Sequence, residues 1–430
     1  MKIPKYFSNK NLSDIAVVSG VYCLCIISAT LIRWMNYFNL LAIMVILLYI
    51  FLRRKITKAP LNLLWAGYIL VYPLVDAAIR GEVGLSLFTA LCYITPMFFL
   101  LGTDVNVDNF GSFFISFAKG FAWFQAFGIF LGLVSQRVFI IIAYRLLGMW
   151  TAKVLGFTTD PTVVAYILCF GVGIYLIDFL LLENKNTKNA YKKLVSFAIM
   201  FVSLIITGKR SFLLGTCILL VIILLVFYTK SKRKFVWTIL GGVAVGVIGC
   251  AICLGAYFSG VENGLGRIGG TIIGLMNGED VSSMRSTWAE YMEQWSEGRE
   301  WFGIGWETFK NRINFTPYAG KVPNGHNVYL QIMCEEGYIG LALFSVLIAA
   351  TVIYAVYNCI ILVKTNDKSA TRASLLALFT VGLFAIYCSL GNGIYDANIY
   401  LYFFAAVQLL NASGKARRIV ERNKFKLENV

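Results

Sequence analysis

An all-α integral membrane protein of about twelve transmembrane helices is the fold that three features of the sequence predict. Hydrophobic residues make up 59% of the 430-residue chain and charged residues only 14%, against roughly 45–50% and about 25% in soluble domains. Apolar runs on the scale of the roughly 17–25 residues that cross a hydrocarbon core of about 30 Å recur along the whole length. The links between them are short, with one long polar exception at residues 259–325.

Taken in order, the predicted spans are 12–33, 38–52, 62–79, 84–102 and 112–134, then 160–181, 194–208, 211–228 and 235–258. After the long loop come 337–363, 373–390 and 397–412. The first run follows Lys2, Lys5 and Lys10 as a signal peptide would. It is too long for an h-region and lacks a small-x-small cleavage site, so it reads as a retained span. Pro73 and Pro96 predict kinks in the third and fourth spans. Segment 137–159 is apolar but interrupted by Arg145 and Lys153, the pattern of an interfacial or re-entrant helix. Within the long loop, Met284, Trp288, Tyr291, Met292 and Trp295 recur at helical spacing after Ser282 and Ser283, either of which suits a cap. They predict an amphipathic helix lying across the mouth of the bundle. Gly337 predicts the end of a short helix before Tyr338 opens a long one. The chain therefore divides into a bundle of about nine spans at 1–258, an outer loop at 259–325, C-terminal spans at 326–412 and a basic tail at 413–430. No inverted repeat of the transporter kind is visible.

A formal net charge of +16 invites a nucleic-acid reading, but the basic residues are sorted by loop. With the N-terminus in the cytoplasm, Arg53, Arg54, Lys55, Lys58, the group from Lys185 to Lys193, "KSKRK" at 230–234, the stretch from Lys364 to Arg372 and the tail all lie inside. Cytoplasmic loops of membrane proteins carry this excess, so no nucleic-acid partner is expected and both termini are placed in the cytoplasm. Nine of the ten cysteines sit inside apolar runs and Cys334 just before one, as small packing residues do. With a single histidine and no acidic-cysteine cluster at ligand spacing, neither a metal centre nor a cofactor is expected.

That single histidine, His326, closes the outer loop beside Gly325 and Asn327, where the backbone can approach a ligand. Its ordinary pKa of about 6.5 suits proton transfer near neutrality, although a satisfied structural histidine is the plainer reading. On the same face, "TGKRS" at 207–211 turns between two spans and presents Lys209 and Arg210. Snorkelling to lipid phosphates would explain such a pair. Its position on the side where positive charge is otherwise depleted favours a bound anion, and an arginine fork fits phosphate oxygens. Arg285 opens the loop helix three residues before Trp288. Arg267, Arg299 and Arg312 are weaker candidates, and Arg33, Arg80, Arg137 and Arg145 also face outward. Glu335 and Glu336 read as capping, orienting or loop-pairing groups, because on one continuous helix they would face away from His326. Lys209, Asn327, Tyr329, Glu336, Trp288, Arg145 and Arg80 are the candidate substrate contacts.

Together these segments resemble the O-antigen polymerase and O-antigen ligase family of bacterial inner-membrane proteins. The resemblance rests on "TGKRSFLLG" at 207–215, "MRSTW" at 284–288, "WFGIGWETF" at 301–309 and "HNVYLQIMCEEGYIGL" at 326–341, in the family's order and spacing. "GFTTDPTVVAY" at 156–166 is similar to a weaker upstream element, with Asp-Pro-Thr where many members carry Pro-Asn. The resemblance implies a GT-C-like helical architecture and transfer of a glycan from undecaprenyl diphosphate. By motif position the family's essential histidine and arginines become His326, Arg210 and Arg285. It further implies a lipid-linked oligosaccharide donor, a glycan acceptor and membrane lipids as partners, with a chain-length regulator as a further candidate and the site on the outer face of the cytoplasmic membrane. The "HNVYL" and "EEG" forms resemble surface-polysaccharide polymerases more than ligases. A lipid-linked oligosaccharide flippase is the reading from another class, and it would call for polar residues near the bilayer midplane, where Asp76 and Asp178 are the only acidic candidates.

Overall fold

The computed structural model describes residues 22–27, 61–65, 67–69, 111–146, 156–158, 161–229, 231–261, 264–279, 281, 285–306, 308–316 and 325–428. Among these the chain is helical, with no strand. The long helices are α1 (Ser112–Val134), α3 (Pro161–Leu180), α4 (Lys188–Ile206), α5 (Arg210–Phe227), α6 (Lys232–Phe258), α10 (Val328–Leu362), α11 (Lys368–Leu390) and α12 (Ala397–Glu428). A short α2 (Gln136–Ile141) runs into a π-helical turn at Ile142–Leu146. The outer loop supplies α7 (Gly264–Met276), α8 (Arg285–Ser296) and α9 (Thr308–Ile313).

Seven of these helices, α1, α3, α4, α5, α6, α10 and α11, are long and apolar enough to cross a membrane. The protein is thus a multi-pass membrane protein. The predicted fifth, sixth, eighth and ninth spans coincide with α1, α3, α5 and α6 to within a few residues. Of the first four predicted spans only short helical stretches are described, and the rest, with Pro73, Pro96 and Asp76, lies outside the described residues.

Helices α3, α11 and the first half of α12 form the buried centre, while α6 exposes nearly its whole surface. Aromatic rings fill that centre: Phe384 stacks on Phe403 at 4.0 Å between centroids, and Tyr402 meets Phe170 edge-on at 5.0 Å. Small residues set the crossings, since a Cβ on Gly173 would lie 2.7 Å from the Phe379 ring and one on Gly382 only 2.5 Å from Leu219.

One end of the bundle is tied by charge. Asp178, at the end of α3, bonds Arg372 of α11 at 2.6 Å, Lys193 of α4 at 3.3 Å, and Lys119 of α1. These are the ends that charge counting assigns to the cytoplasm, and Asp178 belongs to a helix end rather than to the midplane. The last helix differs from expectation in length. It continues through the basic tail to Glu428 because Lys, Arg and Glu favour helix. Arg417 also stacks on Tyr357 of α10 at 4.5 Å, which holds the extension against the bundle.

Candidate functional site

The end opposite Asp178 gathers the turn 207–209, the outer loop, the start of α10 and the turn 391–396 after α11. Gly208, with φ 70°, lets α4 reverse into α5 within three residues, which puts Lys209 at the N-cap and Arg210 at the first helical position. The Arg210 guanidinium donates to Thr271 Oγ1 at 2.6 Å and to the Val281 carbonyl at 2.8 Å, reaching across to the outer loop. Arg267 of α7 returns the contact, donating to the Gly208 carbonyl at 3.5 Å.

Arg285 starts α8 and is half-buried. Burial first, and then the neighbouring Arg210 charge, hold its guanidinium below the usual arginine range, with Tyr387 acting in the opposite sense. The Arg210 charge thus acts on the Arg285 guanidinium, and both residues are partly buried, a setting that suits a bound anion. Tyr387 stacks on Phe212 at 4.8 Å and donates to Asp396 at 2.6 Å.

His326 sits in the left-handed region at φ 53°, the single non-glycine residue there among those described. Its backbone N–H donates to Asn392 Oδ1 at 3.1 Å. Asn327 then caps α10, accepting from the Leu330 N–H at 3.2 Å. His326 and Arg285 thus both border the 387–396 segment, one through Asn392 and the other through Tyr387. Topology alone contained a signal for that segment, because "LGNGIYD" at 390–396 is a short polar link on the same face.

The remaining candidates fall in several places. Tyr329 is directed at α11, with its hydroxyl 3.5 Å from the Ala385 carbonyl. Trp288 lies in a small second core with Met292, Ile304, Phe309, Ile313 and Cys334. Glu336 is fully buried and accepts from the Tyr68 hydroxyl at 2.8 Å. Arg80 and the Arg145 side chain lie outside the described residues.

Two of the quoted motifs turn out to be one structural unit. Gly337, at φ 71° and ψ −169°, breaks α10 as its position predicts. The carbonyls this frees are taken up by the segment 300–305: Ile304 N–H donates to Cys334 at 2.9 Å and Gly305 N–H to Glu335 at 2.8 Å. In return Tyr338 N–H donates to Glu300 at 2.7 Å and Ile339 N–H to Trp301 at 3.4 Å. Backbones this close need glycine: a Cβ on Gly303 would lie 2.3 Å from the Glu335 carbonyl carbon, and one on Gly337 2.3 Å from that of Trp301. The Glu335 carboxylate pins the unit, accepting from the Phe309 N–H at 3.1 Å, Gln331 Nε2 at 3.2 Å and the Tyr395 hydroxyl at 2.9 Å.

Residues 195–345 match the family model described as O-antigen ligase. This segment is similar to the domain of the O-antigen ligase family. It runs from within α4 into α10 and contains Arg210, Arg285, His326 and the docked pair of motifs, whereas Tyr387, Asn392 and Asp396 lie beyond it. No curated protein matches the chain.

Proposed function

We propose that the protein is a polysaccharide polymerase that joins repeat units linked to undecaprenyl diphosphate at the outer face of the bacterial cytoplasmic membrane. The observation that supports this reading is the partly buried pair Arg210 and Arg285 inside the segment that matches the O-antigen ligase family model. A lipid-linked diphosphate is the class of anion whose oxygens two guanidinium forks can grip together. Twelve spans in a GT-C-like arrangement, both termini in the cytoplasm and a site facing outward complete the proposal.

In the reaction, an acceptor sugar hydroxyl attacks the anomeric carbon of the donor glycan from the side opposite the diphosphate, so the configuration inverts. The C–O bond to the diphosphate breaks, and its electron pair leaves with that group. Arg210 and Arg285 stabilise the growing charge, the part that fixed cations play in a desolvated site. His326 accepts the proton of the attacking hydroxyl or orients it, an effect worth roughly 10²–10⁴ in rate. Lys209 adds positive charge beside Arg210, and Asn327 fixes the helix start next to His326. Partners are the lipid-linked donor, the growing glycan, the surrounding lipids and a chain-length regulator.

A ligase that moves a finished glycan onto lipid A-core would use the same residues, and the family match favours neither form. Purified protein given a synthetic undecaprenyl-diphosphate repeat unit alone separates the two. A ladder of lengthened lipid-linked products is expected. Product that forms only when lipid A-core is added would make the protein a ligase, and sugar movement across vesicles without covalent product would make it a flippase.

A further inference from the structure

Segment 300–305 belongs by sequence to the polar outer loop, yet its two large apolar side chains are mostly exposed. Trp301 is 66% exposed and Phe302 65%, while Ile304, two residues on, is turned into the second core at 2%. The backbone at Glu300 and Trp301 is tied to the break in α10 by hydrogen bonds from Tyr338 and Ile339. The Trp301 ring meets Tyr338 edge-on at 5.9 Å.

Tyr338 and Ile339 are the first members of an exposed stripe that continues along α10 through Leu343, Val346 and Ile353. The spacing keeps these side chains on one helix face. The opposite face, with Phe344, Ile348, Ala355 and Leu362, is buried in the bundle. In a membrane-spanning helix such a stripe faces lipid, so the two aromatic rings cap a lipid-facing surface at its His326 end. Arg299 and Glu300 immediately before them are polar, which gives the segment the composition of a membrane interface, where Trp concentrates. The backbone fits the same setting. Non-helical chain at membrane depth is tolerated only when its polar groups are paired, and at the Gly337 break the Cys334 and Glu335 carbonyls and the Tyr338 and Ile339 N–H groups find partners in this segment.

We infer that Trp301 and Phe302 insert into the lipid leaflet on the His326 side, making 300–305 a membrane-seated strap that sets the depth of the outer loop. The partner is the phospholipid surface itself, and the inference holds whatever reaction the neighbouring site performs. Carbohydrate stacking is the competing use of two exposed aromatic rings, and it would leave them in water when no sugar is present.

The full chain reconstituted in nanodiscs of phosphatidylcholine brominated near the head of the acyl chains tests this directly. The chain has nine tryptophans, so the emission of Trp301 is obtained as wild type minus Trp301→Leu. That component is expected to fall at least two-fold in brominated lipid and to resist aqueous iodide. Quenching by iodide with no response to brominated lipid would overturn the inference. An independent readout is a spin label at Phe302→Cys, with the signal of the equally labelled parent subtracted. Greater access for oxygen than for a water-soluble nickel chelate is expected, and the reverse order would contradict the proposal even if the Trp301 variant fails to fold.

Discussion

At His326 the backbone takes the left-handed conformation, φ 53°, with its N–H held by Asn392. Few non-glycine residues adopt it, and asparagine and histidine do so most readily. His326→Asn therefore keeps the backbone demand satisfied while removing the imidazole. Unfolding should be unchanged, and the turnover rate should fall by roughly 10²–10⁴, the usual worth of a general base. Wild-type turnover in that variant would leave His326 a structural role only. For the arginines, shape matters as well as charge. Arg285→Lys keeps the cation but loses the planar fork, and a loss of roughly 10²–10³ in rate is expected from removing one charge-stabilising donor. Near-normal rates for both Arg285→Lys and Arg210→Lys, measured on the same lipid-linked substrate, would reduce the pair to general cations.

Among the elements, the strap at 300–305 and the break in α10 depend on contacts that leave no room for a side chain. Gly303→Ala places a methyl 2.3 Å from the Glu335 carbonyl carbon at φ 66°. It should destabilise by more than the roughly 1–3 kcal/mol of a strained backbone alone, and it should expose 259–325 to protease. Gly298, at φ 73° with nothing within 4 Å of an added Cβ, is the control. Gly298→Ala should cost only about 1–2 kcal/mol, so equal protease sensitivity in the two variants would argue against the docking. The break at Gly337 and the helix at 285–296 were legible because both have local signals, a glycine after a polar turn and a 3.6-residue apolar repeat. The docking of 301–305 on 334–339 was not, since it joins residues far apart in the chain with no periodicity. Helix α7 was missed for another reason. Its glycines disfavour helix by propensity, yet a Cβ on Gly269 would lie 2.1 Å from the Cys253 carbonyl, so they serve packing on α6.

Across the whole molecule the two ends of the bundle differ in chemistry: one closes on Asp178 with three cations, the other opens at Arg210, Arg285 and His326. Asp178→Asn leaves Lys119, Lys193 and Arg372 facing one another. A loss of about 3–5 kcal/mol is expected, as for a buried ion pair with one partner removed. Unfolding in detergent measures it, and an unchanged midpoint would show that helix packing alone holds that end. Hydropathy made the long helices readable and the sorting of Lys and Arg made the two ends distinguishable. Hydropathy put the 390–396 link on the same face but could not show that Tyr387, Asn392 and Asp396 lie beside the candidate site, because that closeness arises from packing among distant spans. The measurement that bears most directly on the account is gel analysis of lipid-linked products from reconstituted wild type and His326→Ala, with donor binding followed in parallel. Lengthened glycans from the wild type, with none from a variant that still binds donor, is the predicted result. The same ladder from both proteins would contradict it.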